Sequence, residues 1–114
     1  MSKRLFIATV TVMVSFNAYA QPKPVDEWVA ECSSNNPVDL SACDNYTLGL
    51  TDALILWQQK SPKTALVCFP EARALTAKQL REVGLRYLNA RPGGPPHLTP
   101  LLTEAFMTEW PCKS

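Results

Sequence analysis

The feature that most constrains this chain is its set of four cysteines, Cys32, Cys43, Cys68 and Cys112, in a sequence of 114 residues. An even number of cysteines in a small exported domain is typical of a disulfide framework, because so short a chain buries only a modest core. Of the three possible pairings we favour Cys32–Cys43 and Cys68–Cys112. The first closes a short turn-rich loop, and the second ties the chain end to its middle. A zinc site is the alternative, but the sequence lacks the close Cys/His spacings of such sites.

Residues 1–20 have the pattern of a cleaved signal peptide. Two basic residues and an apolar stretch precede Ala18-Tyr19-Ala20, the small-x-small pattern that signal peptidase reads. The apolar stretch is shorter than the ~20 residues of a membrane-spanning helix, which argues against the alternative of an uncleaved anchor. We therefore expect export to the periplasm, with residues 21–114 forming one domain.

The charge balance excludes some classes of partner. Residues 21–114 keep 9 of the 11 basic residues, because two lie in the leader, and all 10 acidic residues, so the formal net charge changes from +1 to −1. The charges are scattered and form no basic block. Such a chain has no strong electrostatic affinity for nucleic acid or for an anionic membrane surface.

The apolar spacing predicts an all-α fold, a small four-helix domain stapled by two disulfides. We expect the second helix to run from about Ala42 to Lys60 with Ser41 as its N-cap. Gly49 inside it either permits close approach of another helix or is simply tolerated. The predicted apolar faces of these two helices are Val25, Trp28, Val29 and Cys32 in the first, and Cys43, Tyr46, Leu50, Ala53, Leu54 and Trp57 in the second.

The second half of the chain contains two further helix starts. Thr76-Ala77-Lys78-Gln79 is a capping box, and Thr99-Pro100 is typical of an N-cap followed by the first helical residue. The predicted inner residues are Leu80, Val83, Gly84, Tyr87 and Leu88 in the third helix, and Leu98, Leu101, Leu102, Ala105 and Phe106 in the fourth. We assign Trp28, Trp57 and Trp110 to the core.

Some apolar residues exceed what one small core can hide. They are Leu48, Ile55, Leu56, Leu85 and Met107. A homodimer face or a partner face would cover them.

The sequence contains no motif for catalysis, for a metal or for a cofactor. His97 is the only histidine and lies in a Pro/Gly loop, and the thiols that it could activate are expected to be oxidised. No nucleophile elbow, phosphate loop or dinucleotide fingerprint is present. We therefore predict a binding protein that is not an enzyme, with no catalytic residues.

The order of several short motifs resembles the Rap/Tai family, the immunity proteins of type VI secretion peptidoglycan amidases. The motifs are Cys43-x-x-Tyr46-x-x-Gly49-x-x-Asp52-Ala53, Cys68-Phe69-Pro70-Glu71, Gln79-Leu80 with Tyr87-Leu88, and Trp110-Pro111-Cys112. The likeness covers about Trp28 to Cys112 and departs from the family at Asn45, where a glycine is usual. It implies a periplasmic, helical and commonly dimeric inhibitor that binds a cognate cell-wall amidase and blocks its active-site cleft.

The resemblance transfers no contact residues, so the partner-binding site is inferred from the loops of this sequence. A rigid Pro-rich loop can enter a cleft at little ordering cost. Our first choice is Arg91, Pro92, Gly93, Gly94, Pro95, Pro96 and His97, and our second is the segment Lys60 to Thr64. A different class of function is the alternative: a periplasmic chaperone or stress protein that exposes apolar surface to several clients.

Overall fold

The computed structural model describes residues 8–11, 22–71, 75–91 and 97–113, and in this part of the chain the regular structure is four helices and no strand. They are α1 (Val25–Cys32), α2 (Pro37–Lys60), α3 (Ala77–Asn89) and α4 (Leu98–Glu109). The all-α prediction is confirmed. The leader prediction falls almost entirely outside the described residues and stays a prediction. None of the described helices combines the length and apolar character that crossing a bilayer requires.

Helix α2 begins five residues earlier than predicted. The side chain of Asn36 accepts a hydrogen bond from the Val38 amide at 2.9 Å, so Asn36 is the N-cap. Pro37 is the first helical residue, where its missing N–H and fixed φ cost nothing. The prediction of Ser41 as the cap was wrong because Asn36-Pro37 was taken as the end of the preceding helix.

Helix α4 also begins before its predicted start. Leu98 is its first residue and His97 stands at the cap position, so Thr99 is not the N-cap. Pro100 is then the third helical residue, which is tolerated because amides of the first turn have no partner within the helix. The start of α3 was predicted correctly, since the Thr76 hydroxyl accepts from the Gln79 amide at 3.1 Å.

The centre of the core lies where α1, α3 and α4 meet. Trp28 of α1 and Leu102 and Phe106 of α4 are fully buried. Gly84 of α3 faces them, and a Cβ built on it would lie 2.6 Å from both Trp28 Cη2 and Leu102 Cδ1. Gly84 is therefore the glycine that permits close helix packing. Around Gly49 a Cβ would meet nothing within 4 Å, so close approach does not explain that residue.

The buried side of α2 differs from the predicted one. It runs through Thr47 and Thr51, which are almost completely buried, whereas Ala53 and Trp57 are exposed. The two hydroxyls are satisfied locally, since Thr47 donates to the Cys43 carbonyl at 2.7 Å and Thr51 donates to the Thr47 carbonyl at 2.8 Å. Because both threonines pair in this way, they can occupy the core face. The assignment of Trp57 to the core was wrong.

Both predicted disulfides are present. Cys32–Cys43 joins the end of α1 to α2 with the Cα atoms 5.1 Å apart, and Cys68–Cys112 joins the chain after α2 to the chain after α4 with the Cα atoms 4.9 Å apart. Both distances are ordinary for a disulfide. Because each sulfur is bonded to another cysteine, the zinc alternative is excluded.

The apolar segment after α2 is irregular and is fixed to the C-terminal end of the fold. The Gln58 side chain pairs with the Phe69 backbone, accepting from its amide at 3.1 Å and donating to its carbonyl at 3.3 Å. The Cys68 amide donates to the Trp110 carbonyl at 3.0 Å. The ring of Phe69 lies 5.7 Å from Phe106 and 5.3 Å from Trp110, centroid to centroid. Together with the second disulfide, these contacts hold the segment against α4.

Candidate protein-binding surface

Ion pairs and a tyrosine hydrogen bond link the facing sides of α2, α3 and α4. The Asp44 carboxylate accepts from Arg81 at 2.7 Å, which joins α2 to α3. Between α3 and α4, Glu109 accepts from Arg86 at 3.4 Å, while the Glu104 carboxylate is bonded by a tyrosine hydroxyl. Partly exposed pairs of this kind contribute only about 0–1 kcal/mol each. The carboxylates of Asp44, Glu104 and Glu109 are therefore each engaged by a side chain of α3.

Tyr87 lies beside the first loop that was predicted to bind a partner. Its hydroxyl donates to Glu104 at 3.0 Å, and the Arg91 guanidinium lies 4.9 Å from its ring centroid. Partial burial, and next the hydrogen bond to Glu104, raise the pKa of Tyr87 above its ordinary value of 10.0. Arg91 is thus held against α3 by a cation–π contact.

The first predicted loop is described only at its two ends. Pro92, Gly93, Gly94, Pro95 and Pro96 lie outside the described residues. At the far end His97 is exposed and forms an isolated β-bridge with Pro24, next to the start of α1. The prediction that this loop binds a partner stays a prediction.

The second predicted segment, Lys60 to Thr64, is an exposed turn at the C-terminal end of α2. Its backbone closes with a bond from the Thr64 amide to the Ser61 carbonyl at 3.0 Å. The Thr64 hydroxyl also accepts from the Trp57 indole N–H at 3.1 Å. The turn therefore has a defined shape, and a half-exposed tryptophan is fixed beside it.

His97, the far end of the first predicted loop, and the Lys60–Thr64 turn lie at opposite ends of α4. At the N-terminal end, Thr99 and Tyr46 are joined by a hydroxyl–hydroxyl bond of 2.6 Å. At the C-terminal end, Trp110 accepts from Cys68, which follows the Lys60–Thr64 turn. Twelve helical residues span about 18 Å, so His97 and the Lys60–Thr64 turn lie well apart along this helix.

A shallow depression lies beside the Lys60–Thr64 turn and was missed by sequence reasoning. It is lined by Pro62, Lys63, Ala65, Cys112 and Lys113. Its two halves are 47 or more residues apart in sequence and are brought together by the Cys68–Cys112 disulfide. The predicted pairing of Cys68 with Cys112 already indicated that the two sequence segments lining this depression lie close together.

The off-face apolar residues divide into two groups. Ile55 and Leu85 pack against the core, while Leu48, Leu56 and Met107 are exposed. Exposed apolar side chains are ordinary when isolated, and they are informative when they lie together.

Residues 25–112 match the family model of the Rap1a immunity proteins. The matched region contains all four helices and all four cysteines. No curated protein and no solved structure is significantly similar to the chain. Since the matched region covers most of the chain, the protein belongs to the Rap1a immunity protein family.

Proposed function

We propose that this protein is a periplasmic immunity protein that binds and inhibits a peptidoglycan amidase delivered by a type VI secretion system. Membership in the Rap1a immunity protein family carries the proposal, because immunity proteins neutralise toxin effectors by binding them. The motif order in the sequence resembles the immunity proteins of cell-wall amidases, which supports an amidase as the toxin. Inhibition then needs no catalytic group in this chain.

The rigid scaffold of this domain supports a role in binding. One disulfide joins α1 to α2, the other joins the segments that follow α2 and α4, and a buried cluster of aromatic and leucine side chains fixes α1, α3 and α4. A surface that is already ordered loses little conformational entropy when it binds. A domain of this size can therefore bind tightly in the active-site cleft of an enzyme and inhibit it.

The direct test begins with a search of the same locus for a gene of a secreted peptidoglycan amidase. The purified protein is then titrated into that amidase, with hydrolysis of isolated peptidoglycan as the readout. We expect stoichiometric inhibition, because an inhibitor that blocks the cleft removes one enzyme molecule per complex. An amidase from an unrelated locus is the control and should stay active. Full activity of the cognate amidase in excess protein would contradict the proposal. Binding to several unrelated unfolded proteins in the same experiment would favour the chaperone alternative.

Export is a separate part of the proposal. The even cysteine set and the leader pattern support a periplasmic location, where disulfides persist. Intact mass measurement of the protein from the periplasmic fraction should give a chain that begins at Gln21 and lacks four hydrogens. A chain that still carries its leader, or that contains free thiols, would contradict this part alone.

The homodimer that the resemblance implies stays a prediction. Leu48 and Met107 are exposed by 39% and 38% and are candidates for its interface. Sedimentation equilibrium should show a dimer that Leu48→Asp converts to a monomer. Val38→Asp, a change at an exposed residue of the same helix, should leave the mass unchanged. A wild-type monomer at all concentrations would refute the prediction.

A further inference from the structure

The basic residues of the described chain differ in whether they have an acidic partner. Four of them form ion pairs: Lys23 with Glu27 and Glu31, Lys78 with Glu82, Arg81 with Asp44, and Arg86 with Glu109. Arg91 has no ion pair with a described residue, but it lies over the ring of Tyr87. Lys60, Lys63 and Lys113 form no ion pair within the part of the chain that the structure describes. Their charges are therefore not neutralised by any described carboxylate of the protein.

These three lysines lie at the same end of the molecule. Lys60 is the last residue of α2, Lys63 is in the turn that follows, and Lys63 and Lys113 line one depression. The sequence from 53 to 70 contains no aspartate or glutamate. The region is thus locally positive, although residues 21–114 as a whole have 9 basic and 10 acidic residues.

Exposed apolar side chains accompany the lysines. Leu56 is exposed by 54%, Trp57 by 42% and Leu66 by 38%. Leu56 and Trp57 lie on α2 four and three residues before Lys60, which places them beside it on the helix surface. Leu66 follows Ala65, which lines the depression. We call Leu56, Trp57, Lys60, Lys63, Leu66 and Lys113 the α2-end surface.

Trp57 has the properties of a binding hot spot. Its indole N–H donates to the Thr64 hydroxyl at 3.1 Å, so the ring is held in place before a partner arrives. Fixed aromatic side chains bring a large apolar area at a low cost in conformational entropy. Surrounding lysines would form the polar rim that such a contact usually has.

We propose that the α2-end surface is the toxin-binding surface, and that its occupant is a protein surface with acidic residues around an apolar pocket that receives Trp57. This inference rests on the proposed function and adds to it the location and chemistry of the contact. A two-fold contact with a second copy of the chain would place lysines against lysines, which like-charge repulsion opposes. Three lysines are also fewer than the about four to eight that mark binding to anionic lipid.

The test measures binding of the purified full-length chain to the cognate amidase by titration calorimetry. Trp57→Ala should weaken the affinity roughly 30-fold or more, as loss of a hot spot does. Lys63→Glu with Lys113→Glu should weaken it by at least about tenfold and should reduce its sensitivity to salt, since charge reversal turns an attraction into a repulsion.

The matched control reverses two basic charges elsewhere. Lys78→Glu with Arg86→Glu alters one exposed ion pair on α3 and one between α3 and α4, and should leave the affinity within about threefold of wild type. Circular dichroism of each variant checks that the helices are intact. If Trp57→Ala loses structure, Trp57→Phe replaces it in the test, because it keeps an aromatic side chain at this position. Trp57→Phe should bind the amidase more tightly than the lysine double variant does.

The outcomes separate the two proposals. If the wild-type chain does not bind the amidase, the proposed function fails. If the wild type binds and the Trp57 and lysine variants bind equally well, the α2-end surface is wrong while the function stands. Vesicles of phosphatidylglycerol provide the other arm: if the lysine variants lose vesicle binding and keep amidase binding, the surface recognises lipid and the inference is overturned.

Discussion

Alanine at Gly84 should destabilise the protein, whereas alanine at Gly49 should stabilise it. Both glycines lie inside helices, so each substitution gains helix propensity of about 1 kcal/mol. The two sites differ in their surroundings. A Cβ at Gly49 meets nothing within 4 Å, and one at Gly84 meets Trp28 Cη2 and Leu102 Cδ1 at 2.6 Å. The gain in helix stability is therefore opposed by a steric clash at Gly84 and not at Gly49.

The size of the effect at Gly84 follows from the contact distances. Carbon atoms pack at about 3.5–4.0 Å, so a new Cβ must push its neighbours away by about 1 Å. Trp28 and Leu102 are fully buried, and the Trp28 indole N–H is bonded to Thr47 at 3.0 Å, so neither can move freely. Overpacking costs about 1–3 kcal/mol. After the helical gain of about 1 kcal/mol, we expect a net loss of roughly 0–2 kcal/mol.

Urea denaturation followed by far-ultraviolet circular dichroism, with both disulfides intact, measures these changes. Gly49→Ala should raise the free energy of unfolding by roughly 0.5–1 kcal/mol. The two variants should then differ by about 2 kcal/mol, which exceeds the error of extrapolation for a small domain. If Gly84→Ala were as stable as Gly49→Ala, the close packing of α1, α3 and α4 around Gly84 would be refuted.

Three further changes test other parts of the structure. Replacing Cys68 and Cys112 by serine should cost about 4 kcal/mol of unfolding free energy, because the bridge closes a loop of 44 residues; thiol titration of the wild type should detect no free thiol. Thr47→Val should cost about 1–3 kcal/mol in the same assay, since it leaves the buried Trp28 N–H without an acceptor, whereas Thr47→Ser should cost less. The raised pKa of Tyr87 means that the folded state favours the neutral form of this side chain. Its contribution to the free energy of unfolding is therefore full below pH 10.0 and is lost as the pH rises through the raised pKa. Absorbance titration should place this tyrosine above the ordinary value, and Tyr87→Phe should weaken the loss of stability at high pH.

The parts of the fold that the sequence predicted depend on local signals. The disulfide pairing followed from loop lengths in a chain with four cysteines. The α3 start followed from Thr76 and Gln79, whose capping contact is formed within one turn. The capping contact needs no knowledge of distant neighbours, and once the short Cys32–Cys43 loop is chosen only Cys68 and Cys112 remain to pair.

Other features depend on contacts that a periodicity search does not see. Thr47 and Thr51 occupy the core face of α2 because their hydroxyls bond to the helix backbone, and a search for apolar residues passes over them. Trp57 was predicted to lie in the core because it is hydrophobic. Its indole N–H is instead bonded at the surface by the hydroxyl of Thr64, in the turn that follows α2. Asn36-Pro37 was interpreted as a helix end, and the same two residues are equally suitable for a helix start.

The candidate site was predicted only in part. The Lys60–Thr64 turn was our second choice, while its surroundings at Cys112 and Lys113 come from the distant end of the chain. The sequence alone could not identify the glycine that permits close packing. Gly49 and Gly84 both lie in helical patterns, and only the neighbours packed around them distinguish the two.

The most direct test of the central claim, that this protein neutralises an amidase in the periplasm, is survival of cells that export the cognate amidase there. Co-expression of the full chain with its leader should restore growth, because the protein and the toxin then meet in the same compartment. Co-expression of residues 21–114 without the leader should not restore it. Lysis in the presence of the exported chain, confirmed to be folded and oxidised, would contradict the account.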